Sequence, residues 1–142
     1  MPIVDSDSSL ERIGRGLRDC SLPKSEWTHA AHFAAAFWLL QQPGVDAFRD
    51  MPGMIRRYNE ATGVANSDQS GYHQTITIAS LRAARAWLEQ RRGVPLYRAL
   101  EALLASEFGR SDWLLNHWSR ALLFSEQARR CWMEPDLQPL PF

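Results

Sequence analysis

Apolar positions recur along the chain at intervals of three and four, separated by polar clusters, which is the period of helices packed against one another. Leu10, Ile13 and Leu17 fall on one face, with Arg15 and Arg18 outside it, and predict a first helix from a cap at Ser9 to about Cys20. Pro23 stops it, and Ser25 offers the N-cap of a second helix that ends near Gln42, before Pro43-Gly44. This second segment breaks the amphipathic pattern. After Glu26 it carries no charge until Asp46, and Phe33-Ala34-Ala35-Ala36-Phe37-Trp38-Leu39-Leu40 is apolar on every side. A helix without a polar face belongs at the centre of a fold.

A third helix is expected over 45–62, kinked or split at Pro52-Gly53 and stopped by Gly63. Residues 64–70 read as a surface loop. A fourth helix starts near Gly71, carries Tyr72, His73, Ile76, Ala79, Leu81, Ala84 and Leu88, and ends in Arg91-Arg92-Gly93. The β-branched run Thr75-Ile76-Thr77-Ile78 is the nearest approach to a strand, but its Ala/Leu/Arg-rich continuation favours helix. Pro95 opens a fifth helix through Leu96, Leu100, Leu103 and Leu104; Asp112, Ser119 and Ser125 offer starts for shorter ones. Pro135, Pro139 and Pro141 preclude a helix at the end, where Leu137, Leu140 and Phe142 suit an extended tail lying on the body. The expected architecture is all-α: a single-domain bundle of four to five principal helices, with residues 1–8 frayed and a Pro-rich extended tail over 133–142.

The length of 142 residues is that of one domain and allows a substantial core. Hydrophobic residues make up 45% and charged residues 23%, a globular composition. A formal net charge of zero removes the long-range field that would favour nucleic acid or an anionic membrane, and leaves a homodimer open. The apolar run 30–40 is too short to span a bilayer and the opening residues lack a secretory pattern, so a cytoplasmic protein with Cys20 and Cys131 reduced is expected. The six tryptophans supply core volume, pocket walls or an interface.

The candidate chemistry lies in the histidines. His29 and His32 are three apart, so on a helix they share a face with Glu26, in the first turns of the apolar second segment. Buried imidazoles cost free energy unless each finds a partner. His73 begins the fourth helix. Three imidazoles from two facing helices would bind one divalent metal (zinc, nickel, iron or copper) with open positions for water or substrate. Glu26 or Gln74 would then support the site, and Tyr58 or Tyr72 would position a small-molecule substrate for hydrolase or lyase/isomerase chemistry by Lewis-acid or water activation. Trp27, Asn59, Arg120 and Arg129 are the candidate substrate-binding residues, guanidinium groups being suited to an acidic substrate. Arg120 and Arg129 equally suit a clamp on the tail at Pro135-Asp136-Leu137.

Two readings need no metal. A histidine could move protons alone, oriented by Glu26. Alternatively Thr28, Tyr58, Tyr72, Thr75 and Thr77 could satisfy all three rings in a structural network of a non-catalytic binding or dimerisation module. His117 is expected at the surface or an interface.

Several motifs stand in fixed order: Trp27-Thr28-His29-x-x-His32, Tyr58-Asn59, Tyr72-His73-x-Thr75-x-Thr77, and Ser119-Arg120-x-x-Leu123-x-Ser125-x-x-Ala128-Arg129-x-x-Trp132-x-x-Pro135-Asp136-Leu137-x-Pro139-Leu140. In these the chain resembles a family of small all-helical bacterial proteins of similar length with no assigned activity. The resemblance covers most of the chain from Trp27 onward and implies that the motifs act as one unit. Tyr-His-Glu-Thr is the form expected in such relatives, whereas this chain has Gln74. A neutral amide still hydrogen-bonds but cannot serve as a base at neutral pH.

Overall fold

Pro23 directs the chain into one turn of 3-10 helix at Lys24–Glu26, and α2 (His29–Leu40) begins only after it. Its N-cap is Thr28 rather than Ser25: the Thr28 backbone is extended, and its hydroxyl accepts the Ala31 N–H at 3.2 Å. The intervening turn takes Glu26 off the helix. The all-apolar composition of α2 has the expected consequence, since Ala31 and Phe33 through Leu39 are buried and α2 packs against four other helices.

In this computed structural model residues 4–142 are described. Five principal helices carry the fold: α1 (Asp7–Arg18), α2, α3 (Ala47–Ala61), α4 (Gln74–Glu89) and α5 (Leu96–Ala105). Two short ones follow, α6 (Arg120–Leu123) and α7 (Glu126–Arg130), and no strand occurs among the described residues. None of these helices is long and apolar enough to cross a membrane. Residues 1–3 of the segment expected to fray lie outside the described residues. Asp7 and Ser8 are already helical, because Ser6 and Ser9 form a reciprocal cap. The α1–α2 packing depends on Gly14, where a Cβ would stand 2.4 Å from a Trp38 ring carbon.

Of the kink or split expected at Pro52-Gly53, the split does not occur: α3 runs unbroken through Pro52. Asp46 caps it by accepting the Arg49 N–H, and Pro52 in its second turn forfeits one backbone bond without ending the helix. Gly63, at φ +83°, follows its end as expected. The β-branched run 75–78 is helical, inside α4. Pro95 precedes α5, and Ser119 and Ser125 cap α6 and α7 through their hydroxyls.

The core includes Leu10, Ile13, Phe33, Phe37, Trp113 and Trp118, each at most 1% exposed. Burial of one such side chain contributes about 2 kcal/mol. The C-terminal segment is extended and tied down by specific bonds. Trp118 Nε1 donates to Met133 O, Leu137 N to His117 O, and Asp136 accepts both the Ser119 N–H and its hydroxyl at 2.7 and 2.6 Å. His117 is not a surface residue: it is 8% exposed, edge-on to Trp113 and Trp118, with Nδ1 3.2 Å from Gln138 O.

Candidate functional site

A cavity of about 380 Å³ lies among α2, α3 and α4. Its wall is mostly apolar, from Ala36, Met51, Ile55, Ile76 and Leu81 among others. The polar groups around it are His32, Asn59, Tyr72, His73, Thr77 and Ser80, and Trp27 closes one side. Such a volume lies at the lower end of small-molecule pockets, which span about 300–1,000 Å³.

His32 has the most pointed arrangement of these. Its position four residues into the helix, counted from the Thr28 cap, lets its Nδ1–H donate to the Thr28 carbonyl at 2.8 Å. That bond fixes the tautomer and leaves a lone pair on Nε2. Among the described residues Nε2 has no partner, yet their only fully enclosed side-chain nitrogen or oxygen without one is Trp113 Nε1. His32 therefore keeps accessible surface through the cavity it lines. The Trp27 ring lies over it at 3.8 Å between centroids. Burial lowers the His32 pKa to about 4; the Thr28 carbonyl opposes that shift and the charge of His29 adds to it.

His73 is used differently. It is the N-cap of α4, not part of its first turn: Nδ1 accepts the Ile76 N–H at 3.2 Å, so Nε2 carries the proton and donates to Leu123 O at 2.6 Å. Both nitrogens are committed to backbone. Burial depresses its pKa, with the Leu123 carbonyl opposing. His29 turns from the cavity, its Nε2 donating to Phe108 O at 2.8 Å and its ring edge-on to Phe33. No group of three or more His, Cys, Asp or Glu side chains among the described residues is arranged to hold a metal ion. The donor set expected from the sequence thus does not fit a shared ion in this conformation.

The other candidates divide. Trp27, Asn59 and Tyr72 line the cavity with His32 and His73. Asn59 donates to Asn66 Oδ1, which also accepts the Tyr72 backbone N–H, and this fixes the 64–72 loop over α3. The Tyr72 hydroxyl donates to Gln74 Oε1, so the amide that stands where a glutamate was expected serves as an acceptor. Burial pushes the Tyr72 pKa up to about 12, against the pull of the Thr77 hydroxyl and Arg56. Tyr58 lies outside the cavity wall, fully buried, its hydroxyl bonded to Leu22 O at 2.8 Å. Glu26 pairs with Arg12 at 2.6 Å and makes no bond to His29.

Arg129 reaches the Gly71 and Tyr72 carbonyls at 3.0 and 3.3 Å. Arg120 is exposed and has no hydrogen-bonded or ionic partner among the described residues. From the sequence Thr77 is named only as a partner for the imidazoles, and Ser80 is not named at all. The signal was present, since 73, 76, 77 and 80 follow the three-and-four spacing of one face of α4.

The motifs quoted from the sequence interlock around the start of α4. His73 holds Leu123, Arg129 holds Gly71 and Tyr72, and the Thr75 hydroxyl bridges Cys131 O and Met133 N at 2.9 and 3.1 Å. Comparison of the chain with protein-family models, with curated proteins and with solved structures finds no match, and the functional reading rests on this geometry.

Proposed function

We propose that this protein binds a small, largely apolar molecule in the cavity between α2, α3 and α4, and that the molecule presents a hydrogen-bond donor to His32 Nε2. The observation that carries the proposal is the pairing of an anchored Nδ1 with an unpartnered Nε2 on the wall of an apolar cavity. An imidazole held in one tautomer pays little entropy to accept a bond, and in a poorly hydrated site that bond discriminates strongly. The commitment of both His73 nitrogens and the dispersal of the acidic side chains favour this over a three-histidine metal site.

A second reading, metal-free acid–base catalysis by His32, is favoured by the same Thr28 anchor. A conjugate acid with a pKa of about 4 makes a weak base at neutral pH, so binding takes precedence.

The test compares p-cresol with toluene, which share shape and differ in the hydroxyl, by calorimetry and by the ¹⁵N resonance of His32 Nε2. The expected result is p-cresol binding roughly 5–30-fold tighter, the worth of one hydrogen bond in such a site, with the Nε2 resonance shifting. In the His32→Phe variant the advantage disappears. Equal affinity of the two probes for the native chain would overturn the proposal. Stoichiometric metal bound through His32 in protein prepared without a tag would favour the metal site instead.

A further inference from the structure

Tyr72 faces two indentations at once. One is the apolar cavity. The other is a smaller surface pocket lined by Arg56, Asn66, Ser67, Asp68, Arg129 and Arg130. Three arginines and one aspartate make that rim basic by two charges, in a chain whose formal net charge is zero. The acidic groups near this rim, Asp68 and Glu126, act on Arg130. Asp68 is taken by Arg130 in a two-point ion pair. Arg56 has no ion-pair partner among the described residues; its guanidinium lies 4.4 Å from the centre of the Tyr72 ring. Arg129 spends one nitrogen on the Gly71 and Tyr72 carbonyls, which orients the side chain, and has no acidic partner among the described residues.

We infer that the molecule bound in the cavity is an amphipathic carboxylate: its apolar body occupies the cavity and its anionic end reaches past Tyr72 to Arg56 and Arg129. This rests on the cavity being a binding site and names the class of ligand it takes. Arg129, held at its backbone bonds, keeps Nη2 and Nε for a planar oxyanion, and Arg56 supplies a second cation across the Tyr72 ring. Both charges already act on the site, since Arg56 draws down the pKa of Tyr72 and Arg129 that of His73, each against or beside the larger effect of burial. A phenol with a short carboxylate arm has both ends this geometry asks for, a donor for His32 Nε2 and an anion for the arginine pair.

The experiment compares 3-(4-hydroxyphenyl)propanoate with its uncharged amide by calorimetry on the full chain, at low and at high salt. The expected result is a carboxylate advantage of about tenfold at low salt, falling with ionic strength. Arg56→Gln, an exposed position, is expected to remove most of that advantage; Arg129→Lys, which retains charge while losing the planar fork, reduces it in part. Equal binding of carboxylate and amide overturns the inference and leaves the cavity reading standing. A carboxylate advantage that survives Arg56→Gln and Arg129→Lys undiminished also overturns it. Failure of both probes to bind a native chain that binds p-cresol overturns this inference alone, and failure of p-cresol as well overturns the cavity reading with it.

Discussion

Trp27 lies over the imidazole of His32, ring centroids 3.8 Å apart and planes inclined by 30°. One residue comes from the linker before α2 and the other from its first turn, so the helix cap that places Thr28 also places the stack. The indole removes water from one face of the imidazole while the Thr28 carbonyl holds Nδ1. Neutral imidazole is favoured as a result, and the consequence is a pH dependence.

His32 has a folded-state pKa of about 4 against 6.5 for the free side chain, and that of His73 is also lowered. Between those values the unfolded chain binds more protons than the folded one, so stability rises with pH there. The contribution is complete above about pH 6.5 and is lost as pH falls toward 4, on the order of 3 kcal/mol for His32. Urea midpoints measured from pH 7 to pH 4.5 are expected to decline, and to decline less in His32→Phe. A midpoint independent of pH over that range would contradict the assigned burial of the ring.

His73 joins α4 to α6 by capping one and bonding the last residue of the other. His73→Ala removes both bonds and leaves the Leu123 carbonyl unpaired, at a cost of about 2–4 kcal/mol. His73→Asn restores a capping acceptor but falls short of Leu123, and is expected to recover about 1 kcal/mol of that loss. Denaturant unfolding of the two variants checks the order.

Trp113 and Trp118 are both essentially inaccessible, but only Trp118 has a partner for its indole N–H, the Met133 carbonyl at 2.9 Å. Trp113 Nε1 has none among the described residues. Replacement by phenylalanine should therefore cost more at Trp118 than at Trp113, by about 1–2 kcal/mol, because the first orphans a carbonyl and the second removes an unpaired donor. Equal losses would count against the tail's docking on Trp118.

Gln74 is the first residue of α4 and accepts the Tyr72 hydroxyl. In Gln74→Glu a carboxylate would accept the same proton and face the positive end of the helix, a gain of about 0.5 kcal/mol at pH 7. Thermal melts at pH 7 and pH 3 check it: the gain should vanish once the introduced carboxylate is protonated.

Helix positions were largely legible because they follow from local chemistry: period, caps, and glycine or proline stops. The misplacements were local as well. Ser25 lost the cap to Thr28 because the residues after Pro23 formed a 3-10 turn, and this took Glu26 away from the histidine stripe toward Arg12. Pro52-Gly53 predicts a kink or a split, and α3 shows no split, running on through Pro52 with the loss of a single bond. Sequence spacing placed His29, His32 and His73 at two helix starts but was silent on which way each ring would turn.

By itself the sequence determined that the chain is helical, that the apolar α2 is central, and that the Pro-rich end is extended. Each of these depends on residues within a few positions of one another. The tertiary structure decided what each histidine does, because the partners are distant in sequence: Phe108 for His29, Leu123 for His73, and for His32 an apolar cavity assembled from α3 and α4. Hydrogen bonds to backbone carbonyls carry no side-chain signature, so no spacing of residue types could announce them. Their distribution sends the three imidazoles to separate tasks and leaves His32, a cavity-lining residue, with Nε2 unbonded among the described residues.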